Sequence, residues 1–301
     1  NMPTSTAPVS VYQIITDEII KKLDEGVVPW RQPWKNGMMP MNFVSKRPYS
    51  GINAFLLWCS EYDSPYWLTF KQCSDLGGKV KKGEHGTMVV YWKVSDYKAK
   101  NEDGKIEEKK GFLLRYFRVF NTEQCEGLTM PKEEPRVVNH LSECEKIIKG
   151  YKKAPTVIIA GSRASYSPKL DEVHMPPRKD FESDEAFYAT LFHEFTHSTG
   201  HEKRLKREGI MEQHFFGDAV YSKEELIAEF GSAFLCGTAG IAPSTLIASA
   251  SYIKHWKEAL KADNKMLISA ASKAQKATEH ILGIEKDYTQ KPKAKAKSKK
   301  K

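Results

Sequence analysis

Five consecutive residues carry the clearest chemical signal in this chain. They read His193-Glu194-Phe195-Thr196-His197, an H-E-x-x-H pattern. Because residues four apart lie on the same face of a helix, both imidazoles are able to reach one metal ion. Glu194 lies on the adjoining face, where its carboxylate is able to accept a proton from water. The pattern predicts one divalent metal ion, zinc by default, although two histidines and a carboxylate also accept manganese.

A catalytic zinc site usually has three protein ligands, so a third side chain is needed. The metzincin pattern has a histidine at the position that Lys203 occupies here. Better candidates are two glutamates in the next predicted helix. Glu225 fits a capping box with Ser222, which would give it a structural task. Glu229 lies among apolar residues, where an unpaired carboxylate is costly. We therefore choose Glu229 as the third ligand and keep Glu225 as its rival.

These residue types predict peptide hydrolysis. Zinc lowers the pKa of a bound water towards about 7 and polarises a carbonyl group. Glu194 is the candidate catalytic residue, which takes the proton of the water and passes it to the leaving amine. A predicted hairpin near Ala164–Met175 offers an edge strand to an extended peptide. The identity of such a protein substrate is not readable from these residues.

Basic and aromatic residues lie close together in the first half of the chain. Binders of single-stranded nucleic acid combine these types, because the strand offers phosphate charges and base faces. The alternative is that the aromatic residues form the core of this half. The residues chosen as DNA contacts are Trp30, Lys46, Arg47, Tyr49, Lys81, Lys82 and Arg118.

Most of the net charge of +9 lies in one segment of the 301 residues. Lys291–Lys301 contains seven lysines and no acidic residue. Because a Lys/Ala/Pro segment has too few apolar side chains to pack, we expect residues 285–301 to form a disordered tail. Such a tail either holds phosphates without sequence preference or is a solvated, solubilising segment.

The composition also bears on the class of protein. At 40% hydrophobic and 11% aromatic residues, the chain is able to bury sizeable cores. It has no apolar run of about 18 residues, and its start lacks a signal peptide, so we expect no membrane association. Five cysteines without a C-x-x-C pair indicate reduced thiols in a cytoplasmic protein.

Two shifts in composition predict two domains. Five of the six tryptophans lie before residue 93, and eight of the nine histidines lie after residue 139. The polar segment Met130–Pro135 between them is bracketed by proline, as is typical of a linker. We predict a first domain at 9–130, a linker at 131–138, a second domain at 139–284 that carries the metal site, and the tail at 285–301.

Hydrophobic periodicity predicts an α+β fold whose second domain is mostly helical. Strands are predicted at Thr87–Val94 and Phe112–Asn121, joined by the charged hairpin loop Asp96–Lys110, and a buried strand at Thr156–Ala160. Longer helices are predicted at Val9–Glu25, Asn139–Lys149, Asp184–Thr199, Lys223–Cys236, Thr245–Lys261 and Asn264–Leu282.

The first half resembles the N-terminal domain of the ArdC family of plasmid antirestriction proteins. The second half is similar to the zincin-like metallopeptidase domain that accompanies it in that family. Matching blocks of the first half are 29–34, 49–57, 67–72, 78–84 and 119–125. Those of the second half are Phe192–His201 and Glu224–Glu229.

The resemblance implies that the first domain binds single-stranded DNA without sequence specificity. It also implies protection of conjugatively transferred plasmid DNA from host restriction in the recipient cytoplasm. A second hypothesis is a DNA-localised zinc metalloprotease that cleaves proteins bound to single strands. The two differ at Glu194, because only the protease hypothesis requires this residue for the biological effect.

Overall fold

The computed structural model describes residues 9–31, 38–60, 62–100, 106–131, 139–208, 210, 219–243 and 250–285. Helices and several small sheets are mixed along these ranges, which confirms the α+β fold class. The predicted linker, apart from residue 131, and the lysine-rich tail, apart from residue 285, lie outside them.

The first half combines three helices with short strands and one long hairpin. Helix α1 begins after Ser10, whose side chain accepts a hydrogen bond from the Gln13 amide. Helix α3 begins with a capping box between Thr69 and Gln72. The helices are α1 (Val11–Asp24), α2 (Ile52–Trp58) and α3 (Phe70–Asp75); the strands are β1 (Met41–Asn42), β2 (Tyr66–Leu68), β3 (Lys79–Val80), β4 (Thr87–Lys100), β5 (Ile106–Asn121) and β6 (Cys125–Glu126).

Strands β4 and β5 form a long antiparallel ribbon at one edge of a sheet with the order β1-β2-β5-β4. Their register runs from Thr87 opposite Val119 to Lys100 opposite Ile106. The predicted loop at Asp96–Lys110 is therefore wrong for most of its length, because ten of its residues pair across the ribbon. Residues 101–105 lie outside the described ranges.

The second half combines helices with a three-stranded sheet. The sheet has the order β7-β9-β8, with β7 and β9 parallel and β8 and β9 antiparallel, which confirms the predicted hairpin. The elements are α4 (His140–Gly150), β7 (Thr156–Ile159), β8 (Ser165–Ser167), β9 (Glu172–Met175), α5 (Asp184–Ser198), α6 (Ala219–Ala239), α7 (Ala250–Ala262) and α8 (Met266–Ile281).

The strand predicted as buried, β7, exists but is exposed. Val157 is 36% exposed and Ile159 is 53% exposed. The reason is topological, since β7 lies at an edge of the sheet and only β9 has a neighbour on each side. An apolar run does not distinguish a central strand from an edge strand.

One hydrophobic core contains residues of both halves of the chain. The Phe55 ring of α2 lies 4.4 Å from Phe230 and 4.8 Å from Phe234 of α6, measured between centroids. Trp30 packs against Phe230 and Trp256 of the second half. The same cluster includes residues of α1, α7 and α8. Because each half supplies part of this core, we expect neither half to keep its fold alone.

The described ranges contain eight α-helices. None of the helices there is both long enough and apolar enough to cross a bilayer.

Candidate metal centre and nucleic-acid interface

Helix α5 brings the two histidines of the H-E-x-x-H pattern together. The helix begins after Ser183, whose hydroxyl accepts from the Ala186 amide, and carries acidic residues in its first turn. His193 and His197 follow in successive turns, and their Nε2 atoms lie 3.1 Å apart. Their side chains are 22% and 12% exposed, so the pair lies near the surface and is reachable from solvent.

A close crossing of α5 and α6 positions the acidic residues. A Cβ on Gly231 of α6 would lie 2.4 Å from Thr196 Cγ2, which is too close for a side chain. Glycine at this position therefore lets the two helices approach each other. The crossing brings the preceding turns of α6, including Glu224 and Glu225, to the two histidines.

Three side chains form the candidate ligand set. Glu225 Oε2 lies 3.5 Å from His193 Nε2, and Glu225 Oε1 lies 3.4 Å from His197 Nε2. A tetrahedral ion with bonds of about 2.0–2.1 Å holds its ligand atoms about 3.4 Å apart. The observed spacing and the donor types therefore fit a divalent ion. Within the described residues, these three form the one such group of histidine, cysteine and carboxylate side chains.

The choice of Glu229 as third ligand is corrected by this geometry. Glu229 Oε1 accepts hydrogen bonds from Arg31 Nη2 at 2.6 Å and from the Tyr252 hydroxyl at 3.0 Å. The Arg31 guanidinium also lies over the Tyr252 ring, 4.0 Å from its centroid. The cost of burying this carboxylate is thus offset by an arginine of the first half rather than by a metal ion.

The capping box predicted for Glu225 is also wrong. Helix α6 begins at Ala219, so Ser222 already lies inside the helix. The Ser222 hydroxyl lies 3.2 Å from Nε2 of His255 on α7. Glu225 is therefore free of a capping task and faces the histidines.

The charges of the cluster favour a cation. Burial opposes the protonated form of His197, but the Glu225 and Glu224 carboxylates outweigh burial and hold the pKa of His197 well above its usual value. Burial raises the pKa of Glu225, but His197 and His193 lower it by more. The net pKa of Glu225 is therefore below its usual range. Ionised carboxylates beside the imidazoles attract positive charge, which a divalent ion supplies.

Other polar residues of α5 and its surroundings are buried or hydrogen-bonded. Glu194 is buried, at 8% exposed. His201 is buried beyond the helix end, where its Nδ1 accepts from the Lys203 amide. The Tyr166 hydroxyl donates to Asp171 and accepts from Arg204. The hydrogen bonds of His201 and Tyr166 indicate structural roles for both.

Three of the predicted DNA contacts, Trp30, Tyr49 and Lys46, pack against aromatic or apolar side chains of the fold. Trp30 is 1% exposed, and its Nε1 donates to the Tyr252 hydroxyl at 3.2 Å. Its proposed role in base stacking is therefore corrected, because the ring faces lie in the core. Tyr49 is half-buried beside a small core cluster. Lys46 is exposed, with its Nζ over the Phe43 ring at 4.3 Å from the centroid.

The other four predicted contacts are exposed. Lys81 Nζ donates to the Glu123 carbonyl at 2.8 Å, and Arg118 Nη1 donates to the Gly86 carbonyl at 2.6 Å. Lys82 lies in a turn, and Arg47 follows the turn at 43–45. These four remain predictions as DNA contacts, and the structure does not gather all of them on one element.

The ribbon carries an aromatic and basic surface that the choice of contacts did not include. Cross-strand pairing puts opposite residues on one face, here Tyr91 with Arg115 and Lys93 with Leu113. Phe117 adjoins Tyr91 on that face at 5.7 Å between centroids. The ribbon face, as we call it, consists of Tyr91, Lys93, Leu113, Arg115 and Phe117, all exposed.

Buried residues anchor one end of the ribbon face. Val89, opposite Phe117, is 0% exposed and packs with Leu57 and Trp67. Beyond this anchor the side chains point to solvent, with Tyr91 45% and Phe117 39% exposed. The signal available in the sequence was the run Arg115-Tyr116-Phe117-Arg118, but alternation places Phe117 and Arg118 on opposite faces.

Both halves of the chain match models of known protein families. A family model described as the N-terminal domain of anti-restriction factor ArdC matches residues 9–120. A model described as a zincin-like metallopeptidase matches residues 142–273. The metal-free crystal structure of antirestriction protein ArdC from plasmid R388 is 35% identical, with a TM-score of 0.72, and is covered over 100% of its chain and 92% of this one. This chain belongs to the ArdC antirestriction family.

Other relatives match most of this chain. The y4eC protein of Sinorhizobium fredii is 32% identical, over 94% of this chain and 95% of its own. A DNA primase TraC of Escherichia coli is 34% identical over 93% of this chain, which spans only 20% of that primase. The ArdC resemblance and the two-domain α+β architecture expected from the sequence are thus confirmed.

Both the matched family and a solved structure of a relative indicate a divalent metal ion. A zincin-like domain implies a divalent metal ion, and a Mn(II)-bound structure of the R388 protein matches this chain at 34% identity with a TM-score of 0.72. The matched zincin-like range contains His193, His197 and Glu225. The fold family and the local geometry therefore agree on a metal centre between α5 and α6.

Proposed function

We propose that this ArdC family member engages single-stranded DNA without sequence preference and protects plasmid DNA that enters a restricting cell by conjugation. The observation that carries the DNA part is the ribbon face, where aromatic rings and cations alternate on one exposed surface. The second half adds a metal-dependent peptidase centre. Relatives named as antirestriction proteins and DNA primases support a DNA-related role.

The ribbon face has the chemistry that a single strand requires. Tyr91 and Phe117 offer two neighbouring exposed rings on which successive bases stack. Lys93 and Arg115 lie beside them and supply positive charge to the phosphates. Every base has a π face and every nucleotide has a phosphate, so this surface recognises the strand rather than its sequence.

The peptidase part rests on this chain's own residues. His193, His197 and Glu225 hold the ion, with zinc as the default and manganese as the alternative. When bound, a divalent ion acts as a Lewis acid on a peptide carbonyl and makes water more acidic. Glu194 takes the proton from the attacking water and delivers it to the leaving amine. Strand β8 lies at an edge of its sheet and is available to pair with an extended peptide.

A second candidate function is a protease localised by DNA, which cleaves proteins bound to single strands. The shared core favours it, because that core fixes the peptidase half to the half that carries the ribbon face. A metal centre attached to a DNA-binding surface is present at high effective concentration near proteins that are bound to the same DNA strand.

Binding of labelled oligothymidine and of a duplex of equal length to the full chain tests the DNA part. We expect preference for the single strand, with log affinity falling linearly with log salt concentration. Replacing both Lys93 and Arg115 with glutamine lowers that slope by roughly 0.7 for each phosphate that the variant no longer neutralises. The variant keeps the lysine-rich tail, so an unchanged affinity and slope would assign binding to the tail and contradict the ribbon face.

Conjugative transfer into a restricting recipient separates the two functions. If DNA binding protects, the Glu194→Gln variant protects transferred plasmid as well as the wild-type chain does. If cleavage of DNA-bound proteins is needed, the same variant binds single strands normally and loses protection. A variant that loses both binding and protection would instead indicate a folding defect.

A further inference from the structure

The described segment after α5 folds back so that a buried arginine, Arg207, lies next to the metal centre. Backbone hydrogen bonds from Leu205 to Thr199 and from Arg207 to Gly200 close a tight loop beyond the helix. The Arg207 side chain is 6% exposed. A Cβ on Gly200 would lie 3.0 Å from Arg207 Nη2, so glycine at this position leaves room for the guanidinium.

Arg207 caps the end of the helix that carries both histidines. Its Nη2 donates to the Thr196 carbonyl at 2.9 Å and to the His197 carbonyl at 3.3 Å. Its Nη1 donates to the Thr199 hydroxyl at 2.5 Å. A cation at the carboxyl end of a helix also interacts favourably with the helix dipole.

The same guanidinium holds the neighbour of the candidate ligand Glu225. Arg207 Nε donates to Glu224 Oε2 at 3.0 Å, while Nη2 donates to Oε1, which makes a two-pronged ion pair. Glu224 Oε1 in turn lies 3.3 Å from His197 Nδ1. The Glu224 side chain is 14% exposed, so solvent has limited access to this chain of contacts.

We propose that Arg207 and Glu224 are positioning residues of the metal centre. Glu224 accepts the Nδ1 proton of His197, which fixes the tautomer whose unprotonated Nε2 faces His193 and Glu225. Arg207 fixes the carboxylate of Glu224 and thereby the angle of the imidazole plane. The proposal rests on metal binding at the cluster and does not require peptidase activity.

An arginine of the same loop provides a matched control. The Arg204 side chain is 2% exposed and pairs with Asp171, the Tyr166 hydroxyl and the Ser198 carbonyl. It does not contact His193, His197, Glu224 or Glu225 in the described structure. Replacement of Arg204 therefore removes a buried cation from the loop and leaves the neighbours of the candidate ligands in place.

Mn(II) affinity of the full chain, measured by the electron paramagnetic resonance signal of free Mn(II), tests the proposal. We expect Mn(II) binding about 10–100-fold weaker for Glu224→Ala, and a loss in the same direction for Arg207→Met. Glu224→Gln keeps an acceptor oxygen without the charge, so it falls between wild type and Glu224→Ala. The Tm of each metal-free variant is recorded alongside, and Arg204→Met lowers Tm while leaving Mn(II) affinity unchanged.

Two results would overturn the proposal. Wild-type Mn(II) affinity in Glu224→Ala and Glu224→Gln would show that His197 needs no partner at Nδ1. Equal losses of affinity in Arg204→Met and Arg207→Met would assign the effect to loop stability. If the wild-type chain binds no Mn(II), the metal site itself fails, which is a different outcome from failure of the positioning role.

Discussion

At the metal centre, His193, His197 and Glu225 lie within 3.5 Å of one another. Glu224 contacts the Nδ1 atom of His197, and Arg207 donates hydrogen bonds to Glu224. On the ribbon face, Lys93 and Arg115 extend into solvent beside the exposed rings of Tyr91 and Phe117. The difference matches the two ligands that we propose for these sites. A metal ion requires fixed donor distances, whereas a single strand changes shape and accepts a surface of exposed rings and charges.

Replacing Glu194, the proposed proton acceptor, should have the greatest effect of the variants described here. Glu194→Gln removes the proton acceptor, so we expect cleavage of dye-labelled casein by the Zn(II)- or Mn(II)-loaded chain to fall about 10²–10⁴-fold. Its affinity for oligothymidine remains that of the wild type. Wild-type cleavage by the variant, or no cleavage by the wild-type chain, would count against the peptidase assignment.

Replacing either of two glutamates that lie one helical turn apart on α6 should have different effects on Mn(II) affinity. Glu225→Ala loses Mn(II) affinity, because it removes a ligand rather than a supporting residue. Glu229→Ala keeps Mn(II) affinity but lowers the free energy of unfolding by about 3 kcal/mol, because the half-buried Arg31 loses its carboxylate partner. Mn(II) titration and urea unfolding of both variants check this, and loss of Mn(II) binding in Glu229→Ala alone would restore the rejected ligand.

Exposed aromatic residues on opposite faces of the ribbon allow a matched test of the proposed DNA surface. Tyr91→Ala and Phe117→Ala should each weaken oligothymidine binding by about 1–3 kcal/mol, the contribution of one stacked base. Tyr116→Ala is the matched control, because Tyr116 is 48% exposed but points to the other face of the same strand. Equal losses in all three variants would mean that the ribbon face is not the binding surface.

The smallest expected effect concerns an ion pair outside both sites. Burial raises the pKa of Asp171, but Arg204 and Tyr166 outweigh it and hold the pKa below its usual value. A lowered pKa contributes stability above the unfolded-state value of about 3.9, which is lost as pH falls through the folded-state value. Urea unfolding between neutral and acidic pH should therefore show a shallower acid loss in Asp171→Asn. An unchanged acid limb would mean that this carboxylate contributes nothing to acid unfolding.

Local patterns in the sequence predict the histidine pair but not its third partner. The spacing of His193 and His197 is a property of one helix, so it is readable from a few residues. Glu225 and Glu229 both lie on α6, and their choice depends on where α6 crosses α5 and on Arg31, which is 198 residues from Glu229. Such long-range pairings leave no local signal.

The same distinction explains the errors in the first half. Trp30 looks like part of a basic and aromatic cluster in the sequence, but its ring is buried by Phe230 and Trp256 of the other half. The segment Asp96–Lys110 looks like a charged loop, although pairing across the ribbon makes most of it strand. In both cases tertiary contacts override the local preference.

Two variants of the full chain, each measured with both ligands, test whether one folded unit carries two separate sites. Glu225→Ala and the double variant Tyr91→Ala/Phe117→Ala are each titrated with Mn(II) and with oligothymidine. We predict that the first loses only Mn(II) binding and that the second loses only single-strand binding. Loss of both activities in either variant, or oligothymidine binding by the double variant at wild-type affinity, would contradict the presence of two separate sites.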